Sequence, residues 1–201
     1  MKIPVARIIA LELLRATLLY QYKNSFRSEV YYNGKKSLEI AGPNVDKNIG
    51  MLHRDYAFEM QTSHYFQYVA NNIEGIGVLF EDFFGERAKE EQGHAAEIND
   101  RLMELGTNPT DDPASWDKES GIGKTESKKY LSLRSALERA LEFERFGIGL
   151  YNDLANATKD KDHATYQLAL KLLTDELEDE QTIEDILARL EIRDVREGGA
   201  A

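Results

Sequence analysis

The chain has 201 residues, enough for one domain with a sizeable core. It carries 25 Lys and Arg against 36 Asp and Glu, a formal charge of −11 that opposes non-specific binding to nucleic-acid phosphates and favours cations. The absence of cysteine excludes disulfides, thiolate metal sites and cysteine nucleophiles, and it fits a reducing compartment.

Residues 3–20 are rich in apolar side chains, but Arg7, Glu12 and Arg15 interrupt them. No uncharged run reaches the roughly 18–20 residues of a membrane span. No clear secretory core with a small-residue cleavage site is present either. The expectation is a soluble, cytoplasmic protein with no membrane partner and no nucleic-acid partner.

In chain order, the spacing predicts a helix over 4–26, with Pro4 in its first turn and Ile8, Leu11, Leu14, Leu18 and Leu19 on one face. Such a face docks on the rest of the fold or forms a subunit interface. Residues 29–40 read as a short β-hairpin, because Asn33-Gly34 supplies a type I′ turn between two short arms. Ala41-Gly42-Pro43-Asn44 breaks the chain. Helical patterns then run from Val45 or Asn48 to Asn72 and from Ile76 to Leu105, with Gly75 between them and Gly106 as a stop. A polar connection over 107–129 contains Pro109, Pro113, Gly121 and Gly123, with one helical turn near Trp116. Two further helices are predicted from Leu131 to Ala157 and from His163 to Ile192, with the turn at 159–162. The fold class is therefore all-α: a four-helix bundle with one long crossover over 50–192, preceded by an extension over 1–49 and followed by a flexible tail at 193–201.

Two helices carry acidic motifs at matching places. Glu91 and His94 form a Glu-x-x-His motif, and Glu176 and Asp179 occupy the same spacing. Glu59 precedes Glu91 by 32 residues, and Glu144 precedes Glu176 by 32. Gly75 and Asp160 mark the two midpoints, so each arm climbs 16 residues, roughly 24 Å at 1.5 Å per residue. Each antiparallel hairpin thus returns its second carboxylate to the level of its first. Positions i and i+3 share a helix face, so His94 and Asp179 can approach the same layer. Four buried carboxylates repel one another and lose hydration, and a pair of divalent cations offsets both costs. Oxygen and imidazole donors suit iron, manganese or zinc, with redox activity favouring iron. A lone Glu-x-x-His in an acidic helix is usually a solvated face; the repeated spacing is the stronger signal.

The segments Ala88–Ala95, Phe143–Thr158 and Leu173–Gln181, with Asp112-Pro-Ala-Ser-Trp116 in the crossover, resemble the ferritin-like superfamily, nearest its Dps-like branch between bacterioferritins and Dps proteins. The resemblance implies that Glu59, Glu91, His94, Glu144 and Glu176 are ligands of a dinuclear ferroxidase site. It implies Fe²⁺ and peroxide or dioxygen as partners, and a homo-oligomeric, cage-like assembly serving iron storage or protection from oxidative stress. Asp179 stands where that family has a second His. Phe146 and Gln167 stand where the branch has a cysteine pair, and the N-terminal 50 residues have no counterpart. A gapless alignment on Tyr65–Tyr68 would put Gln61 in place of Glu59.

Tyr151 lies seven residues after Glu144, two turns along the same face, and reads as a hydrogen-bond partner of a ligand carboxylate, a radical carrier or a core tyrosine. Phe66, its counterpart after Glu59, reads as core; His53, His64 and His163 read as structural or surface residues, and Trp116 as an anchor. Two other functions stay open at this point: a metal-dependent oxidase or oxygenase acting on an organic substrate, and a structural assembly protein with a degenerate site.

Overall fold

A computed structural model describes residues 35–124 and 131–198. The helix expected over 4–26 and the first part of the expected hairpin lie outside the described residues. The second arm of that hairpin is not extended. Residues Lys35–Ala41 form a helix, α1. Leu38, Ala41 and Val45 all pack on one apolar cluster of the bundle, and an i,i+3 pair links Lys36 to Glu39 at 2.5 Å. Packing on a helical stripe overrode a local turn signal.

Gly42–Asn44 makes a single 3₁₀ turn with Pro43 near its start, and α2 then runs from Val45 to Asn72. Gly75 has φ +64°, a left-handed conformation that reverses the chain without a Cβ penalty. A 3₁₀ turn at Gly75–Phe80 leads into α3, Glu81–Glu104. The crossover holds a turn at Pro113–Ser115, capped by Asp112 accepting from the Ala114 amide at 3.0 Å, and a short helix α4, Trp116–Glu119. Ser132 caps α5, Leu133–Thr158, by accepting from the Ser135 amide at 3.2 Å. Asp160 makes the second reversal at φ 60°, a conformation that Asp tolerates better than most residues. The last helix, α6, spans His163–Gly198, so its backbone continues past the expected end at Ile192 into the expected tail.

Helix α2 packs along α3, α5 packs along α6, and the two pairs face each other. Two apolar clusters fill the interior. One gathers Phe58, Phe66, Phe84, Phe143 and Ile183, with Phe66 and Phe143 edge to face at 6.4 Å. The other gathers Leu52, Ile98, Leu102, Leu154 and Leu172. In α3 and α6 the acidic positions fall between residues of the first cluster and residues of the second, while Glu59 and Glu144 follow directly on Phe58 and Phe143 of the first. The polar layer is therefore closed above and below by hydrocarbon. Among the described residues, no helix is long and apolar enough to cross a membrane.

A buried polar network clamps α3 to the start of α6. Asp162 accepts from Arg101 Nη2 at 2.8 Å and from the Thr165 amide at 3.1 Å, while Arg101 Nε donates to Thr165 Oγ1 at 2.8 Å. Arg101 Nη1 reaches Glu104 at 2.6 Å. Removing one partner of such a buried pair strands the other charge, at a cost of about 3–5 kcal/mol. Asp162→Ala is expected to lower unfolding free energy by about that amount in urea denaturation followed by circular dichroism. A loss under about 1 kcal/mol would show that the clamp does not hold the two hairpins together.

A candidate metal centre between the helices

Each long helix places one glutamate in the central layer: Glu59 from α2, Glu91 from α3, Glu144 from α5 and Glu176 from α6. All four are at most 2% exposed, and His94 from α3 is 3% exposed. Donor atoms of Glu59, Glu91, His94 and Glu176 all lie within 4.8 Å of one another. His94 Nδ1 is 3.3 Å from Glu91, 3.4 Å from Glu176 and 3.6 Å from Glu59. None of these approaches is aligned as a hydrogen bond. Glu59 Oε2, Glu91 Oε2, His94 Nδ1, Glu176 Oε1 and both oxygens of Glu144 remain buried without a hydrogen-bond partner. Unsatisfied buried groups are costly, and a concentration of them around one point is an arrangement that could hold a cation.

The electrostatics agree. Burial pushes the Glu59 carboxyl well above the usual range, and repulsion from Glu91 and Glu176 adds to it while His94 opposes it. Burial also raises Glu144, followed by repulsion from Glu176, Glu91 and Glu59. Glu176 is raised by burial and by Glu91, against the pull of His94. Burial favours the neutral imidazole of His94, but the carboxylates of Glu176, Glu59 and Glu91 outweigh it and raise its pKa. These shifts favour the protonated forms of Glu59, Glu144, Glu176 and His94. A divalent ion neutralises the same carboxylate charges without protons. Oxygen donors with one imidazole nitrogen fit iron, manganese or zinc.

The surrounding residues fix this geometry. Tyr151 is fully buried, and its hydroxyl donates to Glu59 Oε1. Tyr151 is thus bonded to a carboxylate and part of an apolar cluster at once. His94 Nε2 faces Asp175 at 3.3 Å, and Lys171 bonds Asp175 at 3.1 Å. A carboxylate behind an imidazole orients the ring and sets its tautomer. Ser63, one turn beyond Glu59, donates to the Ala88 carbonyl at 2.7 Å and ties α2 to α3 beside the layer. Gly147 sits mid-helix in α5, where a Cβ would meet Phe58 at 3.0 Å and Glu176 Oε2 at 3.2 Å. Glycine there costs about 1 kcal/mol of helix propensity relative to alanine. It leaves room for the Glu176 carboxylate.

Rotation about α2 sends Glu59 and Gln61 in different directions. Glu59 points into the layer, whereas Gln61 donates to the Gly123 carbonyl at 2.5 Å and accepts from Ser120 at 2.7 Å, holding the crossover. Asp179 is buried but lies outside the group of four; its carboxylate is paired with Arg87, which also binds Glu90 at 2.5 Å. Sequence reasoning passed over Arg87 and Asp175. A signal existed for Arg87, four residues before Glu91 on the same helix face, but charged residues at that spacing are common in acidic helices. Asp55, one turn before Glu59, was also passed over. Burial raises its carboxyl to about 7 against the pull of Arg54, 3.1 Å away. His53 packs near Thr107 at 3.4 Å and His64 is exposed, so neither enters the layer.

Comparison with known proteins gives the same architecture. The DNA protection during starvation protein of Pyrococcus furiosus is 26% identical over 156 residues, covering 77% of this chain and 84% of that one. The bacterioferritin-related protein of Bacteroides fragilis, a dodecameric thioferritin, is 28% identical, with 82% of this chain and 98% of that one superposed at a TM-score of 0.74. The Dps protein of Vibrio cholerae, from a superfamily of ferritin-like diiron-carboxylate proteins, shares the fold at 15% identity and a TM-score of 0.67 over 72% of this chain and 91% of that one. Residues 49–192 match the ferritin-like domain family, and the chain belongs to it.

Proposed function

We propose that this protein binds Fe²⁺ in the central layer and oxidises it with peroxide or dioxygen, limiting damage from iron and oxidant. The observation that carries the reading is the buried set Glu59, Glu91, His94 and Glu176, with donor atoms mutually within 4.8 Å and mostly unsatisfied. Glu144 and Glu176 form the second half of the ion-binding set, and Glu91 and Glu176 stand between the halves. Iron here is substrate. Each of two ferrous ions gives up one electron. The electron pair breaks the O–O bond of hydrogen peroxide, and two protons complete two waters, leaving two ferric ions. The protein's part is to hold the ions close, to neutralise their rising charge with carboxylates and to keep His94 oriented through Asp175.

The name of the Pyrococcus relative speaks of DNA protection. With a charge of −11, this chain is better suited to removing Fe²⁺ and oxidant than to coating DNA. The same likeness supports an assembly of many chains. A dodecamer such as the Bacteroides protein forms would contain twelve chains of 22.9 kDa, about 275 kDa in all.

Three measurements test this reading. In anaerobic Fe²⁺ titration, Glu91→Ala and Glu176→Ala are each expected to weaken binding at least tenfold, and unchanged binding would sink the assignment. Gly147→Ala is expected to fold with at least wild-type helicity yet bind Fe²⁺ several-fold more weakly, because the added methyl displaces the Glu176 carboxylate. Equal affinity would mean that the Glu176 position at Gly147 has no part in binding. Light scattering on a sizing column is expected to return a particle many times the mass of one chain, and a monomer would refute the cage.

A further inference from the structure

The two halves of the layer match in backbone and differ in charge. Glu59, Glu91 and His94 correspond by spacing to Glu144, Glu176 and Asp179. In the first half His94 turns Nδ1 into the layer, and Tyr151 pins Glu59. In the second half the residue matching Tyr151 is Phe66, which carries no hydroxyl, and Glu144 has no hydrogen-bond partner at either oxygen. Asp179 is engaged by Arg87 instead of the layer. The position in α6 that matches Arg87, four residues before Glu176, is the buried Leu172. The guanidinium thus has no counterpart on the other side. Glu90 binds its outer edge at 2.5 Å, the Phe83 ring lies 6.0 Å away, and the Arg87 side chain is 19% exposed.

We propose that Arg87 makes the two ion positions unequal. It withholds Asp179 from the position defined by Glu144 and Glu176. An arriving divalent ion there lacks the ligand that Arg87 retains, and a buried carboxylate gives up its cation only against that attraction. The position defined by Glu59, Glu91 and His94 has no ligand withheld in this way and fills first. The second fills when Asp179 exchanges Arg87 for the metal. This inference rests on the ferrous-binding reading above.

Anaerobic calorimetry with Fe²⁺ on the full-length assembled protein separates the two ideas. Wild type is expected to bind in two steps, the second at least tenfold weaker. Arg87→Met keeps the aliphatic stem and removes the charge; it is expected to tighten the second step at least tenfold while changing the first less than threefold. Arg87→Lys retains a cation and is expected to keep the weak second step. Arg87→Gln replaces the methionine variant should the latter fall short of wild-type helicity. Two equal steps in wild type, or an unchanged gap between steps in the neutral variant, would overturn the role of Arg87. Absence of any Fe²⁺ binding in wild type would instead overturn the functional reading.

Discussion

Mutual repulsion among buried carboxylates is the constraint to which the rest of the structure answers. Glu59, Glu91, Glu144 and Glu176 sit within one layer, away from water, between two apolar clusters. Left to relax, such a layer would spread or draw in solvent. Here it is held by cross-ties: Ser63 to the Ala88 carbonyl beside it, Tyr151 on Glu59, and the Arg101–Asp162–Thr165 clamp where α3 meets the start of α6. Close-packed aromatic rings resist the same distortion from the other side. The Arg101–Asp162–Thr165 clamp and the apolar clusters stabilise the framework without using the four glutamates, which leaves those carboxylates to be arranged for a ligand rather than for stability.

Much of this was legible in the residues because the helical rise is constant. A 32-residue interval with a reversal at its midpoint can only return to its own level, and Gly75 and Asp160 make both reversals in the left-handed conformation. The choice of Glu59 over Gln61 followed from the same spacing. What failed was local. Asn33-Gly34 argued for a hairpin, but Leu38 and Ala41 align with Val45 as a helical stripe that finds a cluster to cover, and Lys35–Ala41 is helix. Arg87 and Asp175 were hidden for a different reason. Which charge meets which across two helices depends on the rotation of each about its axis, and spacing along one chain does not contain it.

The near-twofold repetition also explains why departures from it are informative. Where both halves keep the same residue, as at the four glutamates, the shared requirement is a carboxylate in the layer. Where they differ, each difference acts on one half alone. Thr62 in α2 matches Gly147 in α5, so only Glu176 receives the space of a missing Cβ. Phe66 matches Tyr151, so only Glu59 receives a hydroxyl. Asp179 matches His94, and only Asp179 is tied to a cation. These differences point one way: the half with His94 is pinned in place, and the half with Glu144 is left adjustable.

An adjustable half suits an ion that must leave. Oxidation raises the charge of bound iron, and a carboxylate layer that held both product ions firmly would stall after one cycle. On the ferroxidase reading, a rigid position that retains an ion and a pliant one that exchanges it divide the work, with Arg87 supplying the restoring force. As the second ion departs, the guanidinium takes Asp179 back and neutralises a carboxylate that would otherwise stand buried and unpaired. The same ion pair that weakens the entry of the second ion therefore stabilises the layer in its absence. A histidine at 179 would offer the metal a neutral ligand but would leave Arg87 without its partner.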